Sequence, residues 1–480
     1  MKITGIRTMT VDVPLEEPVI TAIHDIRSIG YVLVFVDTDA EVTGEGHLFS
    51  LPARHLAPLE AMVAVLGSSL IGEDAHRVEG IWHKLWTEVN FVGHKGVPLF
   101  ALSALDMALW DARGKALGQP VHRLLGSCRD AVPAYHSGGL WLSRSQDELV
   151  AEAKSFLKQG FRAMKMRLGK PRWQEDVERA EAIRDAIGPD IRLMADANQS
   201  LDVRHALRLG RALEAVNLDW FEEPVPAYDV AGHAALAAAL DTPIATGETE
   251  YTRYGFRPLI EAKAADVLMP DLGRVGGVTE FMRVGHMAQA WDLPVSPHLY
   301  SEPSLQLCGA LGNCDLLEYM PWSARLFSER IEFDDGRARI PDRPGLGFSF
   351  DLDALDSFRT APAAADSAAK PAPKRPARRA AAKKDEAPAP KTAAKAKPKA
   401  SAAPEAKPEA KAEAKTEAKA EAKTEAKAEA KPEAKAEAKT EAKAPSKPKA
   451  APEPAAKPAR RRRREPGKTP WYLRRETEDA

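Results

Sequence analysis

From residue 132 to about 319, short apolar runs alternate with amphipathic segments at a regular pitch, and few architectures accept that pattern. The runs lie at 132–135, 164–168, 191–195, 218–221, 243–245, 266–269, 293–295 and 316–317. Between them, the Ala-rich stretches 146–159, 175–187 and 203–214 have helical periodicity. Strands alternating with helices imply a parallel sheet with the helices outside it. Eight such strands imply that the sheet closes into a βα barrel.

Two regions flank the repeat. Residues 1 to about 128 mix strand and helix patterns: 31–36 reads as a buried strand and 99–115 as a helix. From 330 to 350, a hairpin around Asp334, Asp335 and Gly336, then Pro344, Gly345, Leu346 and Gly347, reads as a return to the first region. The expected organisation is a mixed α and β domain over 1–128 completed by 322–358, a barrel over 129–321, and a tail over 359–480.

The net charge of −1 hides an opposition. From 361 onward there are 32 Lys and Arg against 18 Asp and Glu, a balance of +14 that leaves −15 on the first 360 residues. Beyond 352 the composition collapses to Ala, Lys, Glu and Pro, and 409–431 is built from Glu-Ala-Lys-Ala and Glu-Ala-Lys-Thr units. These residues favour helix, but a four-residue period stacks Glu over Glu and Lys over Lys at i,i+4, which is mildly destabilising. Prolines at 404, 408, 432, 445 and 448 interrupt further. A mostly disordered tail with transient helix is expected. Basic clusters at 374–379, 391–399 and 460–464 would attract nucleic acid or another polyanion, and Trp471, Tyr472 and Leu473 offer an aromatic docking element. The same composition also suits a solubilising appendage without a partner.

No stretch approaches the ~18 apolar residues of a membrane span. The first residues lack the roughly 7–15-residue apolar core of a secretory signal, and three cysteines do not suggest a disulfide framework. A cytoplasmic protein without membrane association is expected.

In a βα barrel, catalytic groups sit at the C-terminal ends of the strands. Here those ends carry Lys165 and Arg167, then Asp196 and Asn198, Glu222 and Glu223, Glu248, Asp271, His298 and Glu318. Asp196, Glu222 and Glu248 are spaced by 26 residues each, close to one βα unit of roughly 30 residues. One such acid alone is ordinarily a solvated or salt-bridged surface group. Three facing one axis repel unless a divalent cation neutralises them, and all-oxygen ligation favours Mg²⁺ over Zn²⁺. Such a cation would stabilise the charge that develops when a carbon acid loses its proton. Asp271, one unit before His298, would hold one imidazole nitrogen and leave the other free as acid or base.

Met164-Lys165-Met166-Arg167, Met194-Ala195-Asp196-Ala197-Asn198-Gln199, Phe221-Glu222-Glu223-Pro224, Thr246-Gly247-Glu248 and Met269-Pro270-Asp271 resemble the mandelate racemase branch of the enolase superfamily. The stretch 217–248 is particularly similar to the L-talarate/galactarate dehydratases, and the similarity runs from 1 to about 355. The resemblance implies an α+β capping domain over a modified (β/α)7β barrel, assembled as a homo-oligomer. It implies Mg²⁺ on Asp196, Glu222 and Glu248, and a small-molecule carboxylate as substrate. Lys165 would help neutralise the substrate carboxylate, Glu318 would hydrogen-bond it, and His298 with Asp271 would be the general acid/base. Two capping loops would close the site, one at 20–29 with His24 and Arg27 and one at 47–51.

One departure matters. The family's second strand commonly ends Lys-x-Lys, the second Lys being a base, whereas this chain has Arg167. A guanidinium is a poor base, so a racemase or epimerase of a 2-hydroxy acid, which needs bases on both faces, is disfavoured against an acid sugar dehydratase working through one face. Arg167 would bind the carboxylate or a distal hydroxyl, or only anchor Asp196. Asn198, His136 and Trp141 are further candidates for substrate contact, though His136 and Trp141 equally suit packing under the capping loops. A different class of function, an inactive barrel tethered to a polyanion by its tail, stays open beside these.

Overall fold

The computed structural model describes residues 1–360; the expectations for the tail fall outside the described residues. Strands β1 (Ile3–Ile20), β2 (Asp25–Thr38) and β3 (Thr43–Ser50) form an antiparallel sheet in that order. The apolar run 31–36 lies inside β2 and is buried throughout. Helices α1 (Leu56–Ser68), α2 (Val78–Glu88), α3 (Val97–Leu117) and the single turn α4 (Val121–Leu124) follow. Pro98 opens α3, and Gly118 closes it in the left-handed region at φ 60°.

Helix α3 is buried on nearly every face, as its lack of a polar stripe requires. Its two internal acids therefore draw hydrogen bonds from outside the helix. Asp111 accepts from the backbone N–H of Glu45 and of Leu346, each at 2.8 Å, and pairs with Lys115 at 2.6 Å. Asp106 accepts from Thr279 N at 2.9 Å and Thr279 Oγ1 at 2.7 Å. These two residues tie β3, the closing segment and the barrel to one helix.

The barrel begins with β4 (Ala131–His136), α5 (Gln146–Lys158), β5 (Ala163–Arg167), α6 (Trp173–Ile187) and β6 (Arg192–Asp196). It continues through α7 (Val203–Leu213), β7 (Phe221–Glu222), α8 (Val230–Ala239), β8 (Ile244–Thr246), α9 (Thr252–Glu261) and β9 (Val267–Leu268). Helices α10 (Leu272–Val275), α11 (Gly277–Gln289) and α12 (Ser301–Ala310) precede β10 (Leu317–Tyr319). β4 to β9 are successive parallel neighbours, and β10 returns to pair with β4, Leu317 opposite Ala134.

The seventh apolar run forms no ladder. Pro294 and Pro297 have no N–H to donate. The run is instead held by isolated bridges, Val295 to Leu268 and to Cys314, and His298 to Asp271. Side-chain caps start α5, α7 and α8: Ser145 and Glu148 form a reciprocal capping box, while Asp202 and Asp229 each accept from a first-turn N–H. Each cap contributes about 1 kcal/mol. Inside the barrel, Tyr135, Met194, Trp220, Val267, Met269 and Leu316 pack as a separate core.

The return segment divides. β11 (Phe333–Asp334) and β12 (Arg337–Arg339) form a hairpin that joins the barrel sheet, Ala338 lying antiparallel to Val132 of β4. The stretch 345–360, including the short α13 (Leu352–Leu355), is what meets the first region. Gly345 O accepts from Val121 N at 2.9 Å, Thr360 N donates to Thr10 O at 3.0 Å, and Phe350 meets Phe35 edge-on at 5.7 Å.

Candidate active site

Side chains alternate along a strand, and the interior core marks the inward parity. Ala163 and Met194 face inward, so Lys165, Arg167 and Asp196 do too. Trp220 brings Glu222 with it, and Leu316 brings Glu318. On β8, Ala245 faces inward and strict alternation would send Glu248 outward. Gly247 interrupts it: at φ 125°, a conformation that strains any residue with a Cβ, it turns the chain so that Glu248 Oε2 lies 3.5 Å from His298 Nε2.

The polar groups meet at the strand ends. Lys165 Nζ is 2.6 Å from Glu222 Oε1, 2.9 Å from Glu318 Oε1 and 3.8 Å from Asp196 Oδ2. Trp220 Nε1 donates to Glu222 Oε2 at 2.9 Å, and Leu299 N to Glu318 Oε2 at 2.7 Å. Asn198 donates to Asp196 from its backbone N at 2.7 Å and from Nδ2 at 2.9 Å. His298 Nδ1 pairs with Asp271 Oδ2 at 2.7 Å, while Asp271 Oδ1 accepts from Arg274 N at 2.9 Å. Nε2 of His298 is thereby the nitrogen left toward the cluster.

Arg167 is buried, its Nη2 3.0 Å from Ser137 Oγ, its Nε 3.4 Å from Asp196 Oδ2 and its guanidinium 4.7 Å above the ring of Trp141. It does anchor Asp196, yet Nη1 is a buried donor without a hydrogen-bond partner. An unsatisfied buried donor costs about 1–3 kcal/mol, so both uses of Arg167 stay available. Trp141 stacks against Trp322 at 6.3 Å beside this guanidinium.

Burial pushes the Glu222 carboxyl up, with Asp196, Glu248 and Glu318 adding to the rise and Lys165 opposing it. Burial likewise pushes Glu223 well up. Burial would lower His298, but Glu248, Asp271 and Glu318 together hold it at about 9. Glu318 is held well below the usual carboxylate range by Lys165 and His298, against the effect of burial.

Whether these residues suit a hard dication is a question of donor chemistry. Six acidic side chains (Asp196, Glu222, Glu223, Glu248, Asp271 and Glu318) share the mouth with four basic ones, Lys165, Arg167, Arg274 and His298, and the crowding of acids is part of what raises Glu222 and Glu223. Asp196, Glu222 and Glu248 supply oxygen donors only, as Mg²⁺ prefers, and Asn198 Oδ1 and Glu223 Oε1 are buried oxygens without partners. The donor set therefore fits. Among the described residues, no three His, Cys, Asp or Glu groups stand converged as a finished ligand cage.

Other expectations fare differently. His136 is corrected as a substrate contact. It has the opposite parity to Tyr135, points out of the barrel, and stacks on Phe156 at 3.7 Å with Phe161 and Tyr319 edge-on. Burial there lowers it to about 4. His24 and Arg27 lie exposed on the β1–β2 hairpin, Arg27 paired with Asp25 at 3.4 Å. The neighbouring Ala22 approaches Gly169 beyond β5, so the hairpin tip does overhang the barrel mouth. Most of 47–51 is strand rather than loop. His47 is buried against Tyr31, Tyr300, Phe327 and Phe350 and lowered to about 3 by that burial. A small, half-open pocket lies beside it, lined by Tyr31, Phe49, Leu299, Tyr300 and Trp322 among others. Sequence reasoning gave no role to Ser137, Gln199 or Arg274. Gln199 directly follows the expected site residue Asn198, but its importance depends on three loops that meet only in the fold.

Residues 3–126 match the mandelate racemase/muconate lactonizing enzyme N-terminal domain, and residues 148–354 match the enolase C-terminal domain-like family. The chain is 40% identical over 284 residues to the L-talarate/galactarate dehydratase of Salmonella typhimurium, spanning 59% of this chain and 71% of that protein. It is 34% identical over 296 residues to the arabinonate dehydratase of Saccharolobus solfataricus, spanning 59% and 79%. The L-talarate dehydratase of Polaromonas sp. JS666, crystallised with Mg and L-glucarate, superposes with a TM-score of 0.70 at 35% identity, covering 75% of this chain and 97% of that one. All three relatives are dehydratases, that is, hydro-lyases. The two domains, the closed barrel and these likenesses agree, and the chain belongs to the mandelate racemase branch of the enolase superfamily.

Proposed function

We propose that this protein is a Mg²⁺-dependent, cytoplasmic acid sugar dehydratase that converts a galactarate- or talarate-like substrate into a 2-keto-3-deoxy acid. The observation that carries this reading is the His298–Asp271 pair at 2.7 Å, with Nε2 aimed into a buried group of carboxylates that also holds Lys165 and Arg167. Asp196, Glu222 and Glu248 would hold Mg²⁺, which supplies charge compensation for the oxygens of the substrate carboxylate.

The chain's own residues divide the remaining work. Lys165 and the free Nη1 of Arg167 bind and orient the substrate carboxylate, Glu318 holds the Lys165 ammonium at 2.9 Å against it, and Asn198 contacts a neighbouring hydroxyl. Glu248, the largest of the charges that raise His298, would be neutralised when it binds the cation; Nε2 of His298 then takes the proton from the α-carbon, while Asp271 keeps the ring oriented through Nδ1. The same imidazolium then returns a proton to the departing β-hydroxyl, so the C–O bond breaks as water leaves and the enol tautomerises to the 2-keto acid. Arg167 argues against two-face racemisation, since a guanidinium does not take up a proton near neutral pH. His24 and Arg27 reach the substrate only if the hairpin closes further over the mouth. Assembly as a homo-oligomer belongs to this reading through the family resemblance. The basic tail supports a separate role as a polyanion tether, measurable as salt-dependent nucleic-acid binding lost on truncation after residue 360.

The test is a screen of the full-length protein with Mg²⁺ against galactarate, talarate and other four- to six-carbon sugar acids, reading the 2-keto product with semicarbazide. Turnover that EDTA abolishes, that Mg²⁺ restores and that His298→Asn removes is the expected result. Measurable Mg²⁺ binding without turnover on any sugar acid sinks the dehydratase assignment.

A further inference from the structure

The acids assigned to the cation lie where sheet pairing runs out. The ladders end with Asp196 opposite Glu222 and Glu222 opposite Ala245, and Glu248 stands beyond the last paired position of β8, after Gly247. Backbone hydrogen bonds continue between the first two of the loops that follow, from Ala197 N to Glu222 O at 3.1 Å and from Leu201 N to Pro224 O at 3.2 Å, while the third loop leaves β8 at Gly247 beyond its last paired residue.

One side chain spans all three. Gln199, on the first loop, donates from Nε2 to Glu223 Oε2 at 2.7 Å and to Thr249 Oγ1 at 3.0 Å. Its Oε1 accepts from Ala227 N at 2.9 Å, and its backbone N–H donates to Glu223 O at 2.8 Å. Glu223 and Thr249 are the residues next to Glu222 and Glu248, so the carboxamide acts one residue away from two of the three acids. The backbone is bent at both ends of this tie: Asn198 and Gln199 sit at φ 44° and 62°, and Glu223 on the next loop at φ 36°. Residues with a Cβ hold that left-handed conformation only where the surroundings over-determine it.

We propose that Gln199 is a positioning residue whose carboxamide holds the strand-end loops at the spacing that lets Asp196, Glu222 and Glu248 bind a divalent cation together. The inference rests on the Mg²⁺ reading above. Only a full-length amide serves. Glu at this position would lose both N–H donors, and Asn is one methylene short of the three partners.

The experiment is calorimetric titration of Mg²⁺ into the metal-free, full-length protein as wild type, Gln199→Asn and Thr249→Val. The last removes one tie with little change of shape and leaves Gln199 in place. The Mg²⁺ dissociation constant rises about 10–100-fold in Gln199→Asn and by a smaller factor in Thr249→Val. The melting temperature of the metal-free proteins stays at the wild-type value, which a merely structural role would lower. Equal dissociation constants in wild type and both variants overturn the proposal, as does a loss confined to metal-free melting. Wild-type protein that binds no Mg²⁺ overturns the cation reading and this inference with it, so the wild-type titration tells the two failures apart.

Discussion

Arg167 shows how much a single side chain can decide. Its guanidinium is committed on one edge to Ser137 and Asp196 and on its face to Trp141, while Nη1 has no hydrogen-bond partner. Lys in its place keeps the charge but loses the fork and the stacking surface. A hydrogen bond to a charged group contributes about 1.5–3 kcal/mol, so Arg167→Lys is expected to lower kcat/KM about 10–100-fold on whichever sugar acid the screen identifies. An unchanged kcat/KM would leave Arg167 as no more than a counter-ion of Asp196. The residue type was plain in the sequence; that one nitrogen stays unpaired was not, because it depends on Ser137 and Trp141 from the segment after β4.

At the scale of elements, the sequence patterns located the barrel strands and the helices α5, α6 and α7, and the ends of those strands carried the site. Two elements escaped such reading. The seventh run dissolved into bridges because its prolines cannot donate, and the hairpin 333–339 joined β4 because edge pairing is not written in either partner alone. The contact of β3 with α3 is a third case. A Cβ on Gly44 or Gly46 would overlap the carbonyl oxygens of Ala108 and Ala104 in α3, so the strand lies on the helix only because these residues lack side chains. Gly46→Ala is expected to cost about 1–3 kcal/mol through forced backbone shifts, seen as a lower midpoint in chemical denaturation; a midpoint equal to wild type would show that the sheet can move off α3 freely.

For the whole molecule, Asp106 joins the first region to the barrel through Thr279, and its environment makes that joint sensitive to pH. Burial raises its carboxyl to about 7 from the usual 3.8, against the hydrogen bonds from Thr279. Between those values the folded protein holds a proton that the unfolded chain has released, so this group's contribution to stability falls as pH rises from about 4 to 7 and is level above that. Asp106→Asn is expected to flatten that part of the profile of denaturation midpoint against pH; an unchanged slope would assign it to other groups. The sequence by itself determined the alternation of strand and helix, the acids at successive strand ends and the Arg in place of Lys, because these are local periodicities and identities. Only the tertiary structure decided that His136 faces the helices, that Gly247 swings Glu248 back toward His298, and that Gln199 reaches three loops at once. Each of those depends on backbone direction at a strand end and on partners distant in sequence, which no single stretch of the chain encodes.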